Sequence, residues 1–368
     1  MMKTLLHLTP LAAVGGCEVN CLRLIKGLPG YRHRVVVFDD IGPMSSEWEQ
    51  GGAEVFHLQA WRNGRAQFRH TLEKWTWSQD EPDGLLYWSS SRLPEVLHVL
   101  EKWNAPATVH LGNPLPRGKW LQVARRLWAE RGHIARKGTT LAACSEHVAR
   151  SHRNALYFRR YPIEVIYNPV DERGNGAHLH RDLTPDASAV IGMVGRLDSI
   201  KDQITIIRAL AALAPQWPGL IVELAGDGAL RTTLEQEAAR LGVTDKVRLL
   251  GFVQTWPRLA AWDVYVHSTT TAEGMGTAVA EAMMEGLPCI VSDLPVMHEV
   301  CGAAAAYFPA RNSNGLVRVL QAVLADRPDR VRLGGAAKER AETKFSIEKA
   351  ARAYERLLFP TARTGETV

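Results

Sequence analysis

The 368-residue sequence has no apolar run approaching the roughly 18 residues that a membrane-crossing helix requires. The expectation is a soluble or membrane-peripheral protein. Cysteine is scarce: Cys17, Cys21, Cys144, Cys289 and Cys301 are odd in number and scattered. That excludes a disulfide framework and points to reduced thiols in a cytoplasmic compartment. Cys17 and Cys21 stand one helical turn apart, but no second Cys or His pair completes four ligands, so no metal is expected. A complete G-x-G-x-x-G turn is also missing. Gly15-Gly16 is only a pair and "GMGTAV" lacks a third glycine, which argues against a nicotinamide-dependent enzyme. There is no large charge excess either: 44 Lys and Arg against 39 Asp and Glu give a net charge of +5. A mildly basic surface suits a phosphorylated ligand, an anionic membrane or nucleic acid without choosing among them. No nucleic-acid-binding module is recognisable, so no nucleic-acid partner is expected. No short-period repeat occurs.

What is present is an ordinary globular composition, 46% apolar and 23% charged, in a chain long enough for two domains. The first twenty residues, "MMKTLLHLTPLAAVGGCEVN", superficially resemble a signal peptide. His7, Thr9 and Pro10 interrupt the apolar stretch, and a buried strand at 5–8 running into a glycine loop is the better reading. Strand-like and helix-like segments then alternate, as in parallel α/β units. In the first half "HRVVVFDD", "AEVFHLQ", "GLLYWSS", "PATVHLG", "GTTLAACS" and "IEVIYNPVD" read as strands, with a helix over 95–103. The polar, aperiodic stretch 171–186, "DERGNGAHLHRDLTPD", reads as a linker. Strands return with "SAVIGMVGRL", "LIVELAGDG", "KVRLLGFV", "WDVYVHST" and "PCIVSD", separated by helices at 203–213 and up to 240. The expected architecture is therefore two Rossmann-like domains with a cleft between them, ligands lying at the carboxyl ends of the strands.

In the segment "STTTAEGMGTAVAEAMMEGLPCIVSD" the glutamates Glu273 and Glu281 flank Gly274 and Gly276. On a helix their spacing amounts to about 12 Å at 1.5 Å per residue. That is wider than the roughly 5 to 9.5 Å between paired glycosidase carboxylates, so each glutamate should touch a different part of one extended ligand. The glycines open a helix, whose positive end favours a phosphate. A phosphate flanked by hydroxyl-rich groups is the outline of a nucleotide sugar. Upstream, "VGRLDSIKD" puts Arg196 and Lys201 in a loop after a strand, where two cations can neutralise a diphosphate leaving group. An Arg-x4-Lys pair on its own is commonly a solvated loop.

Together, "GRLDSIKD", "LAGDG", "LLGFV" and the E-x7-E of "EGMGTAVAEAMMEGLP" resemble the retaining glycosyltransferases of family 4, which have the two-domain GT-B fold. The resemblance is stronger in the second half. It implies an acceptor-binding domain at 1–172, with a helix at 346–359 packing back on it, and a nucleotide-sugar-binding domain at 186–345. It further implies that Arg196 and Lys201 hold the donor diphosphate, that Glu281 holds the ribose, and that Glu273 meets the transferred sugar near its 3-hydroxyl. The amides of Met275, Gly276 and Thr277 approach sugar and phosphate, while Gly226, Phe252 and Val253 line the nucleotide and base pocket. Gly15 and Gly16 resemble the family's glycine loop. His110, in the loosely matching "HLGN", looks like the histidine that reaches the sugar's 6-hydroxyl, or else is a hydrogen-bonded core residue. Met275 stands where the family often has an aromatic residue, which leaves the choice of sugar open.

The implied reaction is transfer of a hexose-type sugar from a UDP- or GDP-sugar, with retention and without an obligatory metal or other cofactor. The acceptor would be a glycan, glycolipid or lipid-linked intermediate of bacterial surface polysaccharide assembly. A sugar-nucleotide epimerase, or transfer to a small-molecule acceptor, is the alternative on the same fold; a phosphorylase would need a pyridoxal-bearing lysine context that is absent. The basic stretch 119–137, with Lys119, Arg125, Arg126, Arg131, Arg136 and Lys137 beside Trp120 and Trp128, reads equally as a helix lying on an anionic membrane or as one packed on its own domain. The first reading places the protein at the inner face of the membrane. Six further tryptophans crowd the first half (Trp48, Trp61, Trp75, Trp77, Trp88, Trp103), most of them expected in the core with hydrogen-bonded indoles.

Overall fold

The computed structural model describes residues 2–115, 138–155, 158–172, 182–186, 189–271 and 273–359. The chain divides into two compact units, Met1–Pro169 joined by Ile347–Val368, and Val170–Ser346. The division falls at Pro169, just ahead of the polar stretch 171–186. Of that stretch, 173–181 lies outside the described residues, as does all but the last residue of the basic segment "GKWLQVARRLWAERGHIARKG", including 119–137.

The first unit is built on seven strands: β1 (Thr4–Thr9), β2 (Arg32–Val37), β3 (Ala53–His57), β4 (Gly84–Tyr87), β5 (Ala107–Leu111), β6 (Thr139–Ala143) and β7 (Ile163–Val165). Their order is β3-β2-β1-β4-β5-β6-β7 and every pairing is parallel. Such strands are covered on both faces, which is why residues 5–8 and 35–38 are buried without alternation. The second unit has six: β8 (Ala189–Val194), β9 (Leu220–Ala225), β10 (Val247–Gly251), β11 (Val264–His267), β12 (Cys289–Ser292) and β13 (Ala305–Phe308). They run β10-β9-β8-β11-β12-β13, again all parallel. Both units are α/β, and both reverse their strand order at one point, between β1 and β4 and between β8 and β11. At such a point the loops leaving neighbouring strands splay to opposite sides and open a ligand crevice.

The C-terminal helix Ile347–Leu358 belongs to the first unit. Ala350, Ala351, Tyr354 and Leu358 recur on one face and are buried among Leu24, Ile25, Val35 and Trp88. The approach is close: a Cβ on Gly27 would lie 2.6 Å from Ile347 Cγ2. β13 has no counterpart in the sequence reading. "GAAAAYF" shows neither a strand nor a helix period, and it becomes a strand because residues 305–308 pair in register with 289–292. The helix expected over 95–103 lies at Leu93–Leu100.

Of the six tryptophans ahead of the basic segment, Trp48, Trp88 and Trp103 are buried; Trp61 and Trp75 are half-buried and Trp77 is exposed. Trp48 donates to the Glu18 carbonyl at 3.2 Å. Trp88 heads a buried chain: its indole N–H donates to His7 Nδ1 at 3.2 Å, His7 Nε2 donates to His33 Nδ1 at 2.9 Å, and His33 Nε2 donates to the Leu28 carbonyl at 2.9 Å. Each ring nitrogen has one role only if both imidazoles are neutral. Burial, reinforced by the charge of its neighbour, accordingly drives His7 well below the ordinary histidine range, and burial also lowers His33.

These histidines set a pH dependence. A histidine lowered in the folded state leaves the unfolded chain to bind the proton first as pH falls. Its contribution is therefore intact above about 6.5 and is lost progressively below that. His110, pushed by burial to about 4, extends the window down to that pH. It alone is worth roughly 3 kcal/mol across the interval, at about 1.36 kcal/mol per pKa unit. Melting temperature measured at intervals from pH 7.5 to 4.5 is expected to drop from pH 6.5 downward, before ordinary carboxylates titrate. A flat profile to pH 5 contradicts the neutral-histidine assignment.

Candidate active site

In the second unit the loop leaving β8 carries Arg196 and Lys201, and the loop leaving β11 carries Glu273. The sheet order places these loops on either side of the strand reversal. The β8 loop is held by glycines that permit backbone contact. Gly226, at φ +132°, lies so close that a Cβ there would be 2.1 Å from the Gly195 carbonyl oxygen, and a Cβ on Gly228 would be 2.4 Å from that of Leu197. Backbone bonds fill this contact: Leu197 N–H to the Asp227 carbonyl and Leu230 N–H to the Leu197 carbonyl, both 3.0 Å. "VGRL" and "LAGDG" are thus two halves of one interlocked turn. The Gly226 N–H also donates to the Gly251 carbonyl at 2.7 Å, which brings the "LLGFV" segment to the same place. There Phe252 is 76% exposed and Val253 half-buried.

Asp198 shapes the rest of the loop, its Oδ1 accepting from the amides of Ile200 and Lys201 at 3.0 Å each. Its other oxygen pairs with the exposed Arg196 guanidinium at 3.2 Å. Ser268 Oγ donates to the carbonyls of Lys201 and Asp202 at 2.8 and 3.0 Å, and the hydroxyls of Thr269 and Thr270 reach the Ile200 carbonyl. The hydroxyl run "STTT" therefore ties the β11 loop to the β8 loop.

The result is a contact between Lys201 Nζ and Glu273 Oε2 at 2.5 Å, with side chains 17% and 11% exposed. His267, fully buried at the end of β11, touches the same oxygen through Nε2 at 3.0 Å. Burial raises the carboxyl pKa of Glu273, but the Lys201 ammonium and then the His267 hydrogen bond outweigh it and hold the group well below the usual carboxylate range. His267 is itself lowered by burial and by Lys201, against the pull of Glu273. The site is an ionised carboxylate between a cation and a neutral imidazole.

After Glu273 the chain turns through Gly276, at φ +77°, into the helix Thr277–Met284. A helix N-terminus of this kind suits an anion. Met275 is buried, Thr277 half-buried, and Glu281 half-buried on the same helix. Glu281 and Glu273 are close enough to Tyr265 that both charges help raise its phenol, after burial and the Cys289 thiol.

Arg196, Lys201, Gly226, Phe252, Val253, Glu273, Met275, Gly276, Thr277 and Glu281 all lie in this unit. Gly15, Gly16 and His110 lie in the other. Gly15 precedes the helix Gly16–Gly27 in an extended conformation, and a Cβ there would be 2.5 Å from Glu18 Oε2. His110 is buried at the end of β5, with Nδ1 3.0 Å from the Tyr354 hydroxyl and Nε2 without a hydrogen-bond partner among the described residues. Sequence reasoning missed His267, Asp198 and the hydroxyl run. The available signal was a lone histidine closing the apolar strand "VYVH". Among the described residues no group of three His, Cys, Asp or Glu side chains is arranged to hold a metal ion.

Comparison with known proteins places this geometry. Residues 179–340 match the model of the family "Glycosyl transferases group 1". The lipopolysaccharide core biosynthesis glycosyltransferase LpsE of Rhizobium meliloti is 33% identical over 178 residues, 48% of this chain and 51% of that protein. The lipopolysaccharide core biosynthesis mannosyltransferase LpsB of the same organism is 29% identical over 234 residues, 57% of this chain and 65% of that protein. The chain thus spans about half the length of the first of these relatives. The solved structure of Anabaena Alr3699/HepE with UDP and glucose superposes with a TM-score of 0.81 at 22% identity, covering 97% of this chain and 99% of that one. Staphylococcus aureus TarM, solved with fondaparinux, α-GlcNAc-glycerol and UDP, gives 0.77 at 11% identity over 97% of this chain and all of that one. At these identities the likeness establishes the fold, which is of the GT-B kind.

The interlocked turn gives a direct check. Gly226→Ala must move backbone, since the new methyl meets a carbonyl oxygen and the residue sits at positive φ. It is expected to destabilise the second unit by about 2 kcal/mol or more in urea denaturation. Gly242→Ala, also at positive φ but with open space around it, is expected to cost about 1 kcal/mol. Equal effects would show that the close contact adds nothing.

Proposed function

We propose that this protein is a retaining glycosyltransferase that moves a hexose-type sugar from a nucleotide-sugar donor, UDP- or GDP-linked, to a glycan or lipid-linked acceptor. The observation that carries the reading is the buried Glu273 carboxylate paired with Lys201 at the strand reversal of the second unit, within the segment matched by the group 1 glycosyl transferases. Lys201 and Arg196 neutralise charge growing on the departing diphosphate, and the first turn of the helix Thr277–Met284 adds backbone N–H groups. Glu281 accepts hydrogen bonds from the ribose. Glu273 accepts from a hydroxyl of the transferred sugar and, being ionised, stabilises positive charge developing at the anomeric carbon. Gly226, Phe252 and Val253 line the base pocket.

With two fixed cations and a helix terminus facing the leaving group, no metal ion and no covalent nucleophile are needed. The donor phosphate oxygen takes the acceptor's proton as the new bond forms on the face the diphosphate leaves. His110 Nε2, buried and without a hydrogen-bond partner among the described residues, is left to bond a polar ligand atom within the first unit. The relatives named for lipopolysaccharide core biosynthesis support an acceptor in bacterial surface polysaccharide assembly. No helix among the described residues is long and apolar enough to cross a membrane. A cytoplasmic enzyme meeting its acceptor at the inner membrane face, through the basic segment 119–137, fits this reading.

The test is thermal stabilisation by UDP, GDP and ADP, each with magnesium and with EDTA. A ligand that binds only the folded form raises its stability by mass action. One nucleoside diphosphate should stabilise, equally in both buffers. Lys201→Ala and Glu281→Ala should each weaken that binding by at least about tenfold, near 1.4 kcal/mol. Because Lys201→Ala leaves a buried carboxylate uncompensated, the double variant Lys201→Ala/Glu273→Gln is measured beside it; it should recover stability but not nucleotide binding. Stabilisation that requires magnesium, or by none of the three, contradicts the reading.

A further inference from the structure

The structure assigns His267 the role of positioning residue for Glu273: it pins one carboxylate oxygen so that the other is presented to a substrate hydroxyl. This rests on the donor-site reading above and adds to it a residue that the sequence analysis did not single out.

The argument is geometric. Lys201 Nζ and His267 Nε2 both contact Oε2 of Glu273, and no hydrogen bond or ion pair from a described residue reaches Oε1. A carboxylate with one oxygen doubly held and the other open is oriented as well as charged. Of the two anchors, Lys201 is also needed at the diphosphate, so its grip on Glu273 loosens when donor binds. His267 has no such second task. It is fully buried, and its backbone carbonyl accepts from Ser292 Oγ at 3.4 Å. Its ring stacks on Tyr265, with centroids 6.2 Å apart and planes 15° from parallel.

The ring's protonation pattern follows from its neighbours. A carboxylate only accepts, so Nε2 carries the hydrogen. Nδ1 is then an acceptor and faces the Tyr265 hydroxyl at 3.5 Å. The charged groups around it are Glu273 itself, Lys201 from the β8 loop, and Glu281, which acts on Tyr265 from the helix Thr277–Met284. Nothing separates the ring from the glycine turn, since a Cβ on Gly276 would lie 3.7 Å from Nε2. Strand end, turn and carboxylate thus form one rigid unit.

Two substitutions test this in the full chain. His267→Leu removes the donor and His267→Gln restores an amide N–H near the position of Nε2. Binding of UDP and of UDP-glucose is measured by calorimetry for each. The leucine variant should bind UDP within about twofold of wild type and UDP-glucose at least about tenfold more weakly, with glutamine recovering to within about threefold, the size of effect one oriented hydrogen bond gives. A leucine variant that binds UDP-glucose like wild type, an equal loss for both ligands, or no recovery with glutamine overturns the assignment. Ring-nitrogen NMR shifts of His267 in the wild type form an arm independent of donor binding and of variant folding. The neutral Nε2–H tautomer near pH 7 supports the role, and the Nδ1–H tautomer or a protonated ring overturns it. Wild-type protein that binds neither nucleotide would instead count against the donor-site reading, leaving the tautomer to judge the His267–Glu273 pair.

Discussion

A carboxylate kept ionised in a nearly dry environment is the constraint around which the second unit is arranged. Burial of Glu273 favours its neutral form, and a cation in direct contact, helped by the His267 hydrogen bond, reverses that. The cation is Lys201, some seventy residues upstream, so the loops leaving β8 and β11 must be locked together. The lock is backbone chemistry: Asp198 turns the first loop, the hydroxyls of residues 268–270 grip its carbonyls, and Gly226 and Gly228 bring the β9 loop flush against it. At both of these glycines a methyl group would strike a carbonyl oxygen. The fold of this unit and the charge state of its site are therefore one problem, solved by the same loops.

This arrangement explains why the strand reversal matters. Adjacent parallel strands whose connections leave in opposite directions expose their carboxyl ends side by side, and β8 and β11 are that pair in the second unit. Arg196 and Lys201 on one loop and Glu273 on the other follow from the strand order alone. The first unit has the same order but uses it differently. Its buried Trp88-His7-His33 chain is neutral and hydrogen-bonded throughout, and the buried His110 keeps one ring nitrogen with no partner among the described residues. One unit concentrates charge at its strand ends, while the other keeps neutral imidazoles in its core.

Much of this was legible in the sequence. Apolar runs without alternation identified twelve of the thirteen strands, because strands covered on both faces leave no other pattern. The exception, β13, owes its conformation to pairing with β12, which an alanine-rich segment cannot announce. Glu273, Glu281, Arg196 and Lys201 drew notice because glycines mark where a chain turns at a strand end, and the structure puts Arg196 and Lys201 after β8, Glu273 after β11 and Glu281 on the helix that follows. His267 was not visible, since a single histidine ending an apolar strand reads as core until the residue it touches is known. Asp198 and the "STTT" run were hidden for the same reason: they act on backbone carbonyls far away in the chain, and periodicity carries no information about such partners. The basic segment 119–137 lies outside the described residues, so its role rests on sequence alone.

The central claim is that a nucleotide-sugar diphosphate binds at the interlocked loops of the second unit. Hydrogen–deuterium exchange of the full chain with and without saturating UDP-glucose tests it most directly, because slowed exchange reports which amides a ligand covers or tightens. The account predicts protection in residues 195–201, 226–230 and 273–281, with the remainder of the second unit's sheet unchanged. Protection confined to the first unit, or none at a ligand concentration that stabilises the protein, would contradict it.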